Sequence, residues 1–310
     1  MIHASYFPHM TPREIIAEAW AITRREPSIR RWGCTSAFFE LLLSIKLIGY
    51  QIYFLYEFFA GNGGAGFFDV EIIIYNSMPH WFFWTFVIVL LVLFTIELFF
   101  PHMAQGAIIG LGAKSHMGEP VKGGMVLALY NFFAIFAIHE MFILGSFSTS
   151  ITLTSVIVRY INGNAKVAVI IILWSVWAFT NILSFFFSFS EEAVVIDKIG
   201  LIAALGRSFK LIISYLGHIM FLVLLLFVIS LRILLNVAMI VIIPGLVIGV
   251  ILLLGTFLSD LLTWIIGGVV GVALTLVASY FFAYLHVFKQ NVWTITYLEL
   301  RKHKDLDVIG

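Results

Sequence analysis

The chain has one cysteine, Cys34, in 310 residues, and charged side chains make up only 11% of it. A single thiol excludes an internal disulfide framework and any metal site built from cysteines alone. The shortage of charge, together with 62% hydrophobic residues, lies far from the roughly 45–50% apolar and about 25% charged of soluble domains,. No polar stretch is long enough to bury a separate soluble core; the formal charge of +1 is uninformative about nucleic acid, and no nucleic-acid partner is expected,. Residues Met1 to Arg31 contain no long apolar run, so the first spanning helix is expected to direct insertion in place of a cleavable signal,.

What remains is a multi-pass membrane protein read as one membrane domain, 1–310. A span takes about 20 mostly apolar residues, and four such stretches fall within 36–189: Ser36 to Phe59, Trp81 to Phe100, Gly124 to Phe147 and Val167 to Phe189. Residues 216–288 are apolar throughout. Basic residues decide how often this stretch crosses, because cytoplasmic loops are enriched in Lys and Arg. Arg13, Arg24, Arg25, Arg30, Arg31, Lys114, Lys122, Lys198, Arg207, Lys210, Lys289, Arg301, Lys302 and Lys304 belong on one side, against Arg159 and Lys166 on the other. Both termini are then cytoplasmic, and an even number of crossings follows. The spans Leu216 to Ile240 and Leu262 to Phe288 satisfy it, with 241–259, interrupted by Pro244, Gly245, Gly249 and Gly255, expected to be re-entrant or interfacial,.

The fold class expected is therefore an all-α polytopic membrane bundle of about six transmembrane helices, arranged as three hairpins with cytoplasmic amphipathic elbow helices. Within 11–33, Thr11-Pro12-Arg13-Glu14 has the form of a capping box, and Ile15, Ile16, Ala19, Trp20 and Ile22 recur on one face,. Within 190–215, Ser190-Glu191-Glu192 suits a helix start, while Arg207, Lys210 and Ser214 face away from Leu201, Leu205, Ser208, Phe209 and Ile212,. Ile16, Ala19, Trp20 and Ile22 match Leu205, Ser208, Phe209 and Leu211 at one offset, which suggests an internal repeat,. Residues 289–310 form a basic tail.

These segments carry a family resemblance. Glu191-Glu192-Ala193-Val194-Val195-Ile196, then Ala204-Leu205-Gly206-Arg207-Ser208-Phe209-Lys210-Leu211, the opening Glu14-Ile15-Ile16-Ala17-Glu18-Ala19-Trp20 and the closing Thr296-Tyr297-Leu298-Glu299-Leu300-Arg301 resemble the membrane domain found with some bacterial glycerophosphoryl diester phosphodiesterases. The resemblance implies six helices with cytoplasmic ends in a prokaryotic cytoplasmic membrane. It implies no catalytic residue, since the chain lacks the soluble barrel that carries the family's activity.

Ionisable residues within the spans supply the remaining candidates, because a charge at mid-membrane costs a few kcal/mol or more and calls for a partner. Glu140 with Arg232 and Lys46 with Glu97 are the expected intramembrane pairs. Trp20, Arg24, Arg25, Arg207, Phe209 and Lys210 are the expected interfacial contacts to lipid or partner. The histidines show no paired ligand spacing, so no metal and no cofactor is expected. Three functions are compatible: a non-enzymatic scaffold or accessory subunit contacting lipids and other membrane subunits, a small transporter or lipid-translocating protein, or a lipid-directed enzyme built on Glu191 and Glu192 with nearby histidines.

Overall fold

The computed structural model describes residues 10–60, 72, 75–76, 79–257 and 260–302. Ten helices with assigned ends follow one another among them: α1 (Pro12–Arg25), α2 (Pro27–Phe59), α3 (His80–His116), α4 (Gly124–Met141), α5 (Phe147–Tyr160), α6 (Asn164–Phe186), α7 (Ser190–Asp197), α8 (Leu201–Ser214), α9 (Leu216–Leu254) and α10 (Asp260–Arg301). Five helical segments are long and apolar enough to cross a membrane, and the α8–α9 pair, bent by 89°, makes up to six. The protein is an all-α polytopic membrane bundle.

Helix α1 begins where the sequence places it. The Thr11 backbone N–H donates to Glu14 Oε2 at 2.6 Å, and the Glu14 N–H is returned to Thr11 Oγ1. The helix ends at Arg25, earlier than the 11–33 segment expected, because Pro27 opens α2 and Arg30 and Arg31 ride on the spanning helix itself. Other boundaries also move. The third span stops at Met141, followed by a 3-10 turn at Ile143–Gly145. The connection beyond it folds as α5, packed on α2 and α6, where no helix was expected.

Residues 241–254, expected to be re-entrant or interfacial, continue the α9 backbone as helix without interruption through Pro244 and Gly249. Ile243 is buried there against Leu41 of α2 and Ala278 of α10, so the segment gains contacts by remaining helical, and the one hydrogen bond that a proline removes is tolerated in membrane helices.

The suspected repeat is visible in the helix boundaries. Shifted by 189, α1 (Pro12–Arg25) becomes α8 (Leu201–Ser214), and Pro27 at the start of α2 becomes Leu216 at the start of α9. Burial repeats as well: Ala19 and Ser208 are fully buried, as are Ile22 and Leu211, while Trp20 and Phe209 stand 44% and 45% exposed. Each unit is an elbow helix that turns into a span.

Two apolar clusters form the packed end of the molecule. One joins Ile15, Ala19 and Ile22 of α1 to Ile108 and Leu111 of α3 and Val292 and Ile295 of α10. The other joins Phe189, Ala193, Ala204, Leu211, Ile219 and Tyr297. Away from this end the helices present their apolar residues outward, and α6 buries none. Lipid tails are as apolar as leucine, so helices there gain little by apolar contact and rely on close approach of small residues. At the packed end itself, Gly106 and Gly110 of α3 let α4 come close: a Cβ on Gly106 would stand 3.2 Å from the Leu127 carbonyl of α4.

Candidate functional site

The polar residues of the packed end are gathered in a hydrogen-bonded layer between α3, α7 and α10. Gln105 of α3 is its centre. Its amide nitrogen donates to Glu191 Oε2 at 2.9 Å and to Gln290 Oε1 at 2.7 Å, and Gln290 in turn donates to Glu192 Oε1 at 2.7 Å. His286 Nε2 lies 3.2 Å from Gln105 Oε1. Because the Gln105 nitrogen is already spent on two acceptors, its oxygen faces the histidine, and His286 must carry its proton on Nε2. Glu192 is fully buried, and its second oxygen has no hydrogen-bond partner among the described residues. Lys289 stands in the field of Glu40 and Glu191, and His139 in that of Glu191.

The amphipathic order of the sequence produces this layer. Phe189 and Ala193 anchor α7 in the apolar cluster, which turns Glu191 and Glu192 toward α3 and α10. The break between α6 and α7 is closed by Ser208 of α8, which donates to the Phe186 carbonyl at 3.1 Å and accepts from the Phe189 N–H at 3.0 Å. At its far end α7 presents Asp197 to Arg207, Tyr297 and Arg301 together. Asn291 extends the polar contacts to α1, donating to Thr23 at 3.0 Å. A pocket of about 300 Å³ lies beside Met10, Tyr215, His218, Glu299 and Leu300, with Glu299 held by His116 and Lys302.

No protein family, curated protein or solved structure matches the chain. The likeness to the phosphodiesterase-associated membrane domain therefore rests on the short segments quoted above.

Among the candidates from sequence, Lys46 and Glu97 meet across α2 and α3, deeper in the bundle than the Gln105 layer. Glu140 is half-buried on α4 and makes no ion pair among the described residues. Arg232 lies on α9, with its side chain outside the described residues. Trp20 is exposed on α1 and meets Phe288 edge-on, Arg24 is exposed, and Arg25 donates to Ser115 at 3.0 Å beside Glu26. Phe209 packs on Phe186 and Phe187 with part of its ring outward, and Lys210 lies on the polar stripe of α8. Among the described residues no three His, Cys, Asp or Glu stand together as a metal site.

Gln105, Gln290, Asn291 and Asp197 were missed by looking for charges within spans. The signal of the three amides was present: uncharged amides in apolar helices near the ends of α3 and α10, whereas Asp197 is a carboxylate that lies between spans.

Proposed function

We propose that the protein is a non-enzymatic scaffold or accessory subunit of a complex in a prokaryotic cytoplasmic membrane, its termini and elbow helices at the cytoplasmic face. The observation that carries this reading is the way the two carboxylates of α7 are used. Each is held by a glutamine, and an amide keeps its protons, so the path from His286 through Gln105 to Glu191 orients groups without relaying a proton,. A layer of this kind fixes three helices to one another, while the outward apolar faces of α3, α6 and α9 remain for lipid or for another membrane subunit.

The experiment is gentle extraction of the full chain from its native membrane, followed by native mass spectrometry. A protein present in fixed ratio with the chain is the expected result, and a chain carrying only a small molecule would overturn the reading.

A second reading is a small transporter or lipid-translocating protein. Its supporting observation is the Lys46–Glu97 pair, which continues the polar layer toward mid-membrane, with Glu97 Oε1 buried and without a hydrogen-bond partner among the described residues. Uptake or flip of a solute in vesicles, abolished by Glu97→Gln, would decide for it.

A further inference from the structure

On the flank where α1, α2 and α10 meet, donors outnumber the acceptors that the described residues offer them. Arg30 of α2 donates to the Tyr284 hydroxyl, and its guanidinium lies 5.5 Å from that ring's centre. The Tyr280 and Tyr284 rings pack edge-on with 5.4 Å between their centres, and the Tyr284 hydroxyl lies in the field of Arg24 of α1. The Tyr284 oxygen accepts from Arg30, so its own hydroxyl proton remains to be donated outward,. Arg30 uses one of five N–H groups here. Among the described residues neither arginine meets a carboxylate, since the nearby Glu26 is held by Arg25 and Ser115.

The flank is amphipathic in the membrane direction. Trp20 is 44% exposed beside Arg24, where it packs edge-on against Phe288. Above them α10 turns Phe281, Tyr280, Val277 and Leu276 outward, more than half exposed each, into the region where the sequence is wholly apolar. Tyr284 lies one turn inside Phe288, about 6 Å at the helical rise, which sets the phenols just beneath the headgroups. A ligand that fits presents a phosphate anion at that level and an acyl chain above it. Arginine forks are suited to phosphate oxygens, and aromatic rings with polar tips to this boundary.

We propose that Arg24, Arg30 and Tyr284 form a binding site for the headgroup of an anionic phospholipid, its tail lying along the Tyr280–Leu276 face of α10. The site adds a ligand class to the lipid contact of the function proposed above and rests on that reading only for the placing of this flank in a membrane.

Native mass spectrometry of the full chain, exchanged into phosphatidylglycerol or phosphatidylcholine, tests it. The wild type is expected to retain phosphatidylglycerol preferentially. Arg24→Gln and Arg30→Gln each lower retention about fivefold, as one arginine near a charged surface does. Tyr284→Phe, which preserves the ring, lowers it about three- to tenfold, the worth of one hydrogen bond, at unchanged thermal stability. Arg13→Gln with Arg31→Gln, exposed arginines outside the cluster, leaves retention unchanged. Equal loss in that control pair, no headgroup preference, or equal competition by free glycerol phosphate would overturn the proposal. Protein partners are scored in the same spectra, so failure of the lipid site is separate from failure of the subunit reading.

Discussion

The ammonium of Lys46 on α2 rests against the carboxylate of Glu97 on α3, and the glutamate side chain is wholly removed from solvent. The lysine keeps 28% of its surface, so the pair is asymmetric: one charge depends entirely on the other.

Removal of the lysine should therefore be the more damaging change. Lys46→Met leaves a buried carboxylate unpaired and is expected to destabilise by about 3–5 kcal/mol, whereas Lys46→Met with Glu97→Leu should recover much of the loss. Thermal unfolding of the two singles and the double in one detergent measures it, and additive losses would show that the residues are not coupled.

Gln105 is expected to behave as a joint. Gln105→Leu strands Glu191 and leaves Gln290 and His286 each short of a partner, at about 1–3 kcal/mol for each buried group left unsatisfied,. Protease should then cut between α6 and α8 faster than in wild type. An unchanged cleavage rate would argue that the layer does not secure α7.

A methyl group at Gly112 would stand 2.4 Å from Asn291 Oδ1. Gly112→Ala is expected to lower stability by about 1–3 kcal/mol through overpacking and to weaken the Asn291–Thr23 bond that ties α10 to α1. Faster hydrogen exchange confined to α1 would confirm this route, and a loss without change in α1 would refute it.

Ser208→Ala removes both bonds that close the α6–α7 break, about 1 kcal/mol each,. Amide exchange at Phe189 reports it directly, because its N–H loses its acceptor.

The first turn of α1 should respond to acid. The Thr11 backbone N–H, then its hydroxyl, hold the Glu14 carboxyl below the usual carboxylate range. A group with a depressed folded value contributes stability that is present above the unfolded value and disappears as pH falls through the folded one. Exchange of the first α1 amides should rise over that acidic interval in wild type and be already raised, and flat, in Glu14→Gln.

Much of this was legible in the sequence wherever one periodicity held without competition. Thr11, Pro12 and Glu14 define a helix start by local chemistry alone, and the long apolar runs of α2, α3 and α6 leave few alternatives to a span. The unbroken helix through Pro244 was not legible, because a proline is a local signal and the burial of Ile243 between α2 and α10 is a tertiary one. Helix α5 escaped notice because its Ser and Thr residues read as a polar connection, although Thr152 and Thr154 turn their hydroxyls back onto the helix at the Ser148 and Ser150 carbonyls. Lys46 and Glu97 could be named as partners from depth counted along two helices. The glutamine layer could not, since nothing in the spacing of Gln105 and Gln290 states that α7 will be laid between them.

Helix α1 leaves the ribosome well before α10, whose Val292 and Ile295 complete its buried face. Thr23 and Asn291, which join the two, are 268 residues apart. During synthesis α1 thus spends the whole interval with Ile15, Ala19 and Ile22 uncovered, and the membrane surface is the shelter its amphipathic face can use meanwhile. A chain truncated before Asn291 would expose that face indefinitely, giving a cell's proteases a means of telling unfinished copies from finished ones.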